Sequence, residues 1–201
     1  IDLMLYGALP TLEEAKKYYG VPFDGRYSLL IYHPATGNLH RVFNDFRELM
    51  DAVRESKRNY ILIYPNNDPG ADVIIEEIEL HRNNPHFKIF PSLRFEYFLV
   101  FLKNCEFIIG NSSAGIREAP IYSVPSINIG DRQKNRFSCD TIINTNESKE
   151  EILAAIKRIT QIKRIPTHHF GDGRSAERFI KVLKNSNIWN TKLQKYFVDK
   201  E

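Results

Sequence analysis

Residues 107–120 read FIIGNSSAGIREAP: an apolar run (Phe107, Ile108, Ile109), a glycine, three small polar residues, then a helix-forming stretch over 114–119. Consecutive apolar β-formers that stop at a glycine mark the end of a buried strand, and Gly110 turns the backbone there without a side-chain clash. Asn111, Ser112 and Ser113 open the following helix. As caps they satisfy its first N–H groups; equally, free N–H groups and the positive end of a helix dipole attract an anion. The Ser112 and Ser113 hydroxyls suit phosphate oxygens, and Glu118, one turn further on, is placed to accept from the hydroxyls of a ribose. Taken alone, the segment fits an ordinary capped helix as well as a nucleotide site.

The rest of the chain repeats the strand-to-helix pattern. Runs rich in Ile, Tyr and Phe recur over 28–32, 60–64, 88–90, 106–109, 126–129 and 141–143, with helical periodicity over 44–56, 71–80, 94–104 and 150–162 between most of them. Strands alternating with helices predict βαβ units, hence an α/β fold with a doubly wound parallel sheet of Rossmann-like type. Further helical patterns over 12–19, 174–184 and 189–198 flank it.

In such a sheet, ligands bind at the carboxyl ends of the strands. The loops expected there carry His33-Pro34-Ala35-Thr36-Gly37-Asn38, Pro65-Asn66-Asn67-Asp68-Pro69-Gly70, Pro91-Ser92-Leu93-Arg94, the Gly110–Ser113 turn and Gly130-Asp131-Arg132-Gln133. Five consecutive strand ends therefore present anion or hydroxyl chemistry on one edge. Arg132 can grip phosphate oxygens in two-point fashion, or be an exposed loop arginine. His33 is either a structural hydrogen-bonding group or a contact to a diphosphate that helps move a proton near the leaving group. Asn66, Asn67 and Asp68 suit turn formation, with one of the three left for a ligand. Arg117 reads as a helix-surface residue, and Gly171-Asp172-Gly173 as a turn and cap.

Composition bounds the function. At 201 residues, 42% hydrophobic and 26% charged, the chain has the balance of a soluble globular domain. A net charge of +3, with Lys and Arg scattered among acids, gives no basic stripe for nucleic acid. No apolar run reaches the ~20 residues of a membrane span. Cys105 and Cys139 lack paired spacing and read as free thiols in a reducing, cytoplasmic setting. No close His, Cys or Asp spacing suggests a metal. There is no GxxxxGK[ST] loop, no G-x-G-x-x-G after the first strand and no Gly-x-Ser-x-Gly elbow, so neither a P-loop hydrolase nor a nicotinamide cofactor is expected. The opening Ile1-Asp2-Leu3-Met4-Leu5 reads as the interior of a longer protein.

Five segments, YHPATGN, YPNNDPGAD, NSSAGIREAP, SINIGDRQKNR and HFGDGR, resemble in order those of the UDP-N-acetylglucosamine 2-epimerase family, and more narrowly its hydrolysing members of sialic acid synthesis. The resemblance implies the carboxyl-terminal, UDP-holding half of a GT-B fold of two Rossmann-like domains. Residues 1–20 would be a linker and helix from an absent amino-terminal domain, 21–185 the UDP-binding domain and 186–201 a helical tail. By position, Ser112 and Ser113 match the diphosphate serines, Glu118 the ribose glutamate and Arg132 an arginine beside the nucleotide. Asn66 matches an asparagine near the ligand, Leu93 the segment reading the uracil edge and His33 the active-site histidine. Gly37 and Asp131 depart from the family pattern, each where a threonine is common. Asp131 puts an added negative charge beside the arginine.

The implied chemistry is anti elimination of UDP to a glycal and addition of water, giving N-acetylmannosamine without cofactor or metal. The implied partners are UDP, a UDP-N-acetylhexosamine, the absent domain and a further copy of the chain. Catalytic carboxylates would lie in the absent domain, leaving this chain alone inactive. The same chemistry on a UDP-2,4-diacetamido-trideoxy-hexose, a non-hydrolysing epimerase, a glycosyltransferase of like architecture and a nucleotide-binding or oligomerisation module stay open.

Overall fold

A computed structural model describes residues 1–35, 37 and 39–194. In chain order its elements are α1 (Asp2–Tyr6), α2 (Leu12–Tyr19), β1 (Ser28–Ile31), α3 (Val42–Glu55), β2 (Tyr60–Ile63), α4 (Ala71–Glu79), β3 (Phe87–Phe90), α5 (Phe95–Asn104), β4 (Ile108–Gly110), α6 (Ala114–Arg117), β5 (Ser126–Ile129), β6 (Ile142–Thr145), α7 (Lys149–Ile159) and α8 (Ser175–Leu183). The helix expected over 189–198 is a short 3₁₀ turn at Ser186–Asn190, and its remainder beyond 194 lies outside the described residues, as do Thr36 and Asn38 of the first loop.

Two compact units divide the chain, Ala8–His168 and the pairing of Ile1–Gly7 with 169–201. The larger unit is a six-stranded sheet in the order β3-β2-β1-β4-β5-β6, parallel at every pairing. Successive strand residues point to opposite faces, and both faces are covered, which is why the strands read as unbroken apolar runs. Leu30, Leu62, Ile109 and Ile127 pack with Phe46, Leu49 and Met50 of α3, Ile74 and Ile78 of α4 and Ile152 and Ile156 of α7. Leu29, Ile31, Ile61 and Ile108 face the other way, onto Ala15 of α2 and Val100, Phe101 and Leu102 of α5. The sheet is thus doubly wound, as the strand and helix alternation predicts.

In the strand order, the direction of winding reverses between β1 and β4. That opens a crevice between the loops that follow them. Gly110, the last residue of β4, pairs with Ile31, the last of β1. Its φ of +130° belongs to glycine, and a Cβ there would lie 1.9 Å from the Ile31 carbonyl oxygen.

In the smaller unit, Asp2 Oδ2 accepts the Ala176 N–H at 3.2 Å in the first turn of α8, where a carboxylate suits the helix dipole. Arg178 grips Asp172 through both guanidinium nitrogens at 2.7 and 2.8 Å. Phe179, Ile180 and Trp189 are exposed. Among the described residues no helix is long and apolar enough to cross a membrane.

Candidate functional site

A cleft of about 460 Å³ opens at the carboxyl ends of β1, β2, β3 and β4. Its lining includes His33, Asn66, Leu93, Ser112, Ser113 and Glu118, six of the seven residues singled out from sequence. Arg132 is beside it, with Nη1 donating to the Asn111 carbonyl at 3.2 Å.

The turn after β4 differs from the expected capped helix. α6 is four residues long and passes at once into a 3₁₀ turn at Ala119–Tyr122, because Pro120 has no N–H with which to continue an α-helix. Ser113 occupies the N-cap position without a capping side-chain bond, while the Ser112 hydroxyl accepts the Ala114 N–H at 3.3 Å. Among the described residues no backbone carbonyl accepts the N–H of Ser112 or Ser113. A single helical turn contributes little dipole, so the anion-binding capacity of this turn rests on those two N–H groups and the serine hydroxyls.

Asn111, read from sequence as a helix-opening residue, instead bridges to the loop after β1. Its side-chain Oδ1 accepts the His33 N–H at 2.7 Å and its Nδ2 donates to the His33 carbonyl at 2.8 Å. The Asn66 N–H donates to His33 Nδ1 at 3.0 Å. With its Nδ1 lone pair engaged, the neutral imidazole carries its proton on Nε2 and can donate there. Burial, reinforced by the Arg132 charge and partly opposed by Asp68, pushes the His33 pKa down to about 4.

Asn66 Nδ2 donates to Asp68 Oδ2 at 2.5 Å, and the same oxygen lies 4.0 Å from Arg132 Nη2. Asp131 does not serve as the arginine's acid: it turns to Lys134 Nζ at 3.0 Å. Burial lowers the Arg132 pKa against the pull of Asp68. Glu118 is half-buried, with its Oε2 fully enclosed and without a hydrogen-bond donor, and burial raises its pKa despite neighbouring Arg117. An enclosed carboxylate oxygen without a donor is unfavourable in the free chain. Leu93 packs partly against the α2 and α5 side of the core, and Phe95 and Phe98 continue the apolar wall beyond it. Arg117 is exposed, as its helix-surface reading predicts.

Three participants escaped the sequence reading. Asn111 and Gln133 are each 2% exposed, and the Gln133 amide donates to the Asn111 carbonyl at 3.0 Å. Asp68 looked like a turn residue and also balances Arg132. Asn111 and Gln133 act through partners distant in sequence, as Asp68 does toward Arg132 beside its local bond from Asn66, and no local pattern marks those long-range roles.

The parallel sheet, its strand order and the cleft at its reversal point define the class: a Rossmann-like α/β domain of the kind found in GT-B folds. The chain belongs to the UDP-N-acetylglucosamine 2-epimerase family, whose model matches residues 1–184. It is 43% identical over 203 residues to a UDP-N-acetylglucosamine 2-epimerase of Neisseria meningitidis serogroup B, covering 99% of this chain and 53% of that protein. It is 28% identical to the UDP-N,N'-diacetylbacillosamine 2-epimerase (hydrolyzing) of Legionella pneumophila, over 97% of this chain and 52% of the relative. Among solved structures, a Neisseria meningitidis UDP-GlcNAc 2-epimerase bound to UDP-GlcNAc superposes with a TM-score of 0.68 at 12% identity, covering 86% of this chain and 49% of the other. The Methanocaldococcus jannaschii UDP-GlcNAc 2-epimerase in complex with UDP-GlcNAc and UDP gives 0.67 at 22%, covering 85% and 48%. The chain spans about half the length of the curated relatives it matches.

Proposed function

We propose that this chain is the UDP-binding half of a hydrolysing UDP-N-acetylglucosamine 2-epimerase. The observation that carries the reading is the gathering of His33, Asn66, Leu93, Ser112, Ser113 and Glu118 in one cleft at the sheet's reversal point. Ser112 and Ser113 hold the diphosphate through hydroxyl and backbone N–H groups. Glu118 accepts the ribose hydroxyls, and the backbone around Leu93 meets the uracil edge. Arg132 offsets the diphosphate charge once phosphate oxygens draw it from Asp68.

In the elimination, a base takes the proton from C2 of the sugar, the C1=C2 bond forms and the C1–O bond breaks with its electron pair left on the diphosphate. The His33 Nε2–H stabilises that departing oxygen, and Ser112, Ser113 and Arg132 carry the charge that develops there. Water then adds its hydroxyl to C1 and a proton to C2 from the opposite face, releasing N-acetylmannosamine. The C2 base is assigned to the part of the relatives' length that this chain does not cover, so the chain alone is expected to bind UDP without turning over a sugar nucleotide.

Calorimetric titration with UDP, with UMP and ADP as controls, tests this reading: UDP binds more tightly than either control. Equal binding of ADP would refute the uracil assignment, and absence of UDP binding by folded chain would refute the half-site. The Legionella pneumophila relative favours a second reading, the same elimination on a diacetamido sugar nucleotide. Offering both sugar nucleotides to the full-length enzyme and comparing kcat/KM separates the two.

A further inference from the structure

We infer that Asn111 is the positioning residue that holds the His33 imidazole in one orientation and one proton arrangement, by joining the loop after β1 to those after β4 and β5. The inference rests on His33 being the group that faces the departing diphosphate.

Asn111 makes five hydrogen bonds in a buried position. Its N–H donates to the Ile31 carbonyl at 3.2 Å, continuing the β1–β4 ladder one residue past the strand. Its carbonyl accepts from Arg132 Nη1 at 3.2 Å and from Gln133 Nε2 at 3.0 Å. Its side-chain amide brackets the main chain of His33, 78 residues away, accepting at 2.7 Å and donating at 2.8 Å. With both peptide groups of His33 fixed, its ring reaches the Asn66 N–H at 3.0 Å, which selects the tautomer protonated on Nε2. One residue thereby ties the imidazole on one loop to the arginine on another.

The chemistry of the bracket specifies an asparagine. Aspartate keeps the acceptor and loses the donor, setting a carboxylate against the His33 carbonyl. Serine reaches one of the two groups, and glutamine adds a methylene to a site with no room exposed. A residue that only closed a turn would bond within its own loop, whereas both side-chain bonds here go to the residue carrying the imidazole.

The test is ¹⁵N NMR of the His33 ring in ligand-free chain, for wild type, Asn111→Asp and Asn111→Ala, with thermal unfolding to establish that each folds. Wild type shows a single tautomer protonated on Nε2 and titrates near 4. In Asn111→Ala both tautomers appear and the titration moves towards the ordinary 6.5; in Asn111→Asp both tautomers also appear, and the added carboxylate pushes the titration further up. A folded Asn111→Ala chain with the wild-type tautomer and titration overturns the inference. Should that variant fail to fold, the tautomer in Asn111→Asp decides instead: a single wild-type tautomer there overturns the inference, the titration being moved by the added charge alone. Because no ligand is present, failure of the UDP assignment would appear in the wild-type titration with UDP and leave these ring signals to decide the role of Asn111.

Discussion

Gly110 lies so close to Ile31 that a Cβ on it would meet the Ile31 carbonyl oxygen at 1.9 Å. The contact leaves no room for a side chain at the point where β1 and β4 end and the cleft begins. Gly110→Ala adds a side chain at a φ of +130° against backbone that has no rotamer with which to yield. The expected loss is about 2–4 kcal/mol of stability, read as a lower urea midpoint with unchanged slope.

Glu118 presents the opposite exchange. A half-buried carboxylate with one oxygen lacking a donor destabilises the free chain. Glu118→Gln therefore raises the thermal midpoint, by more as the pH rises and the native side chain takes on charge. The same change weakens UDP binding about tenfold or more, since a charged acceptor is lost from the ribose hydroxyls. Thermal unfolding and calorimetry on one sample check both directions.

Acidification acts on His33 with a defined sign. Its folded pKa of about 4 lies below the ordinary 6.5, so the unfolded chain takes up the proton first. The stability linked to neutral His33 is complete above 6.5 and is lost as pH falls through the folded value near 4. Glu118, raised by burial, has the contrary sign: its contribution is present below the ordinary 4.5 and fades as pH rises through its folded pKa. A His33→Gln chain is accordingly expected to lose less stability than wild type between pH 6.5 and 4, measured by denaturant titration across that window.

If the proposed UDP site is right, Asp68 competes with an incoming diphosphate. Its Oδ2 stands 4.0 Å from Arg132 Nη2, the place where a phosphate oxygen would bind. Asp68→Asn removes the competing charge and keeps an acceptor for Asn66 Nδ2. UDP binding should tighten about two- to fivefold, the scale of a partly exposed ion pair, with the gain shrinking as salt is added.

The fold was legible because both faces of the sheet are buried. Strands such as Leu29-Leu30-Ile31 then read as continuous apolar runs, and amphipathic segments such as Val42–Glu55 mark the covering helices. Ser112 and Ser113 stand out as small hydroxyl residues directly after a buried strand, and Glu118 as an acid one turn further on, although a helix cap explains the serines as well. The short helix at Ala114–Arg117 was less readable, since its end depends on Pro120 and on close packing against β5. Asn111 was misread because its local spacing is that of a helix cap, and the His33 main chain that claims its amide is brought to it only by the β1–β4 pairing. Gln133 and the Asp68–Arg132 pairing were obscured for the same reason: the partners come from other loops.

The most direct test of the UDP half-site is ¹H–¹⁵N NMR of the chain during titration with UDP. Shifts are predicted to concentrate on Ser112, Ser113, Glu118, Arg132 and the 91–94 loop, with Ser113→Ala and Arg132→Ala each weakening the apparent affinity. Shifts confined to the separate polar depression formed by Gly130, Phe137, Asn144 and Glu151, or saturation unchanged by both substitutions, would contradict it.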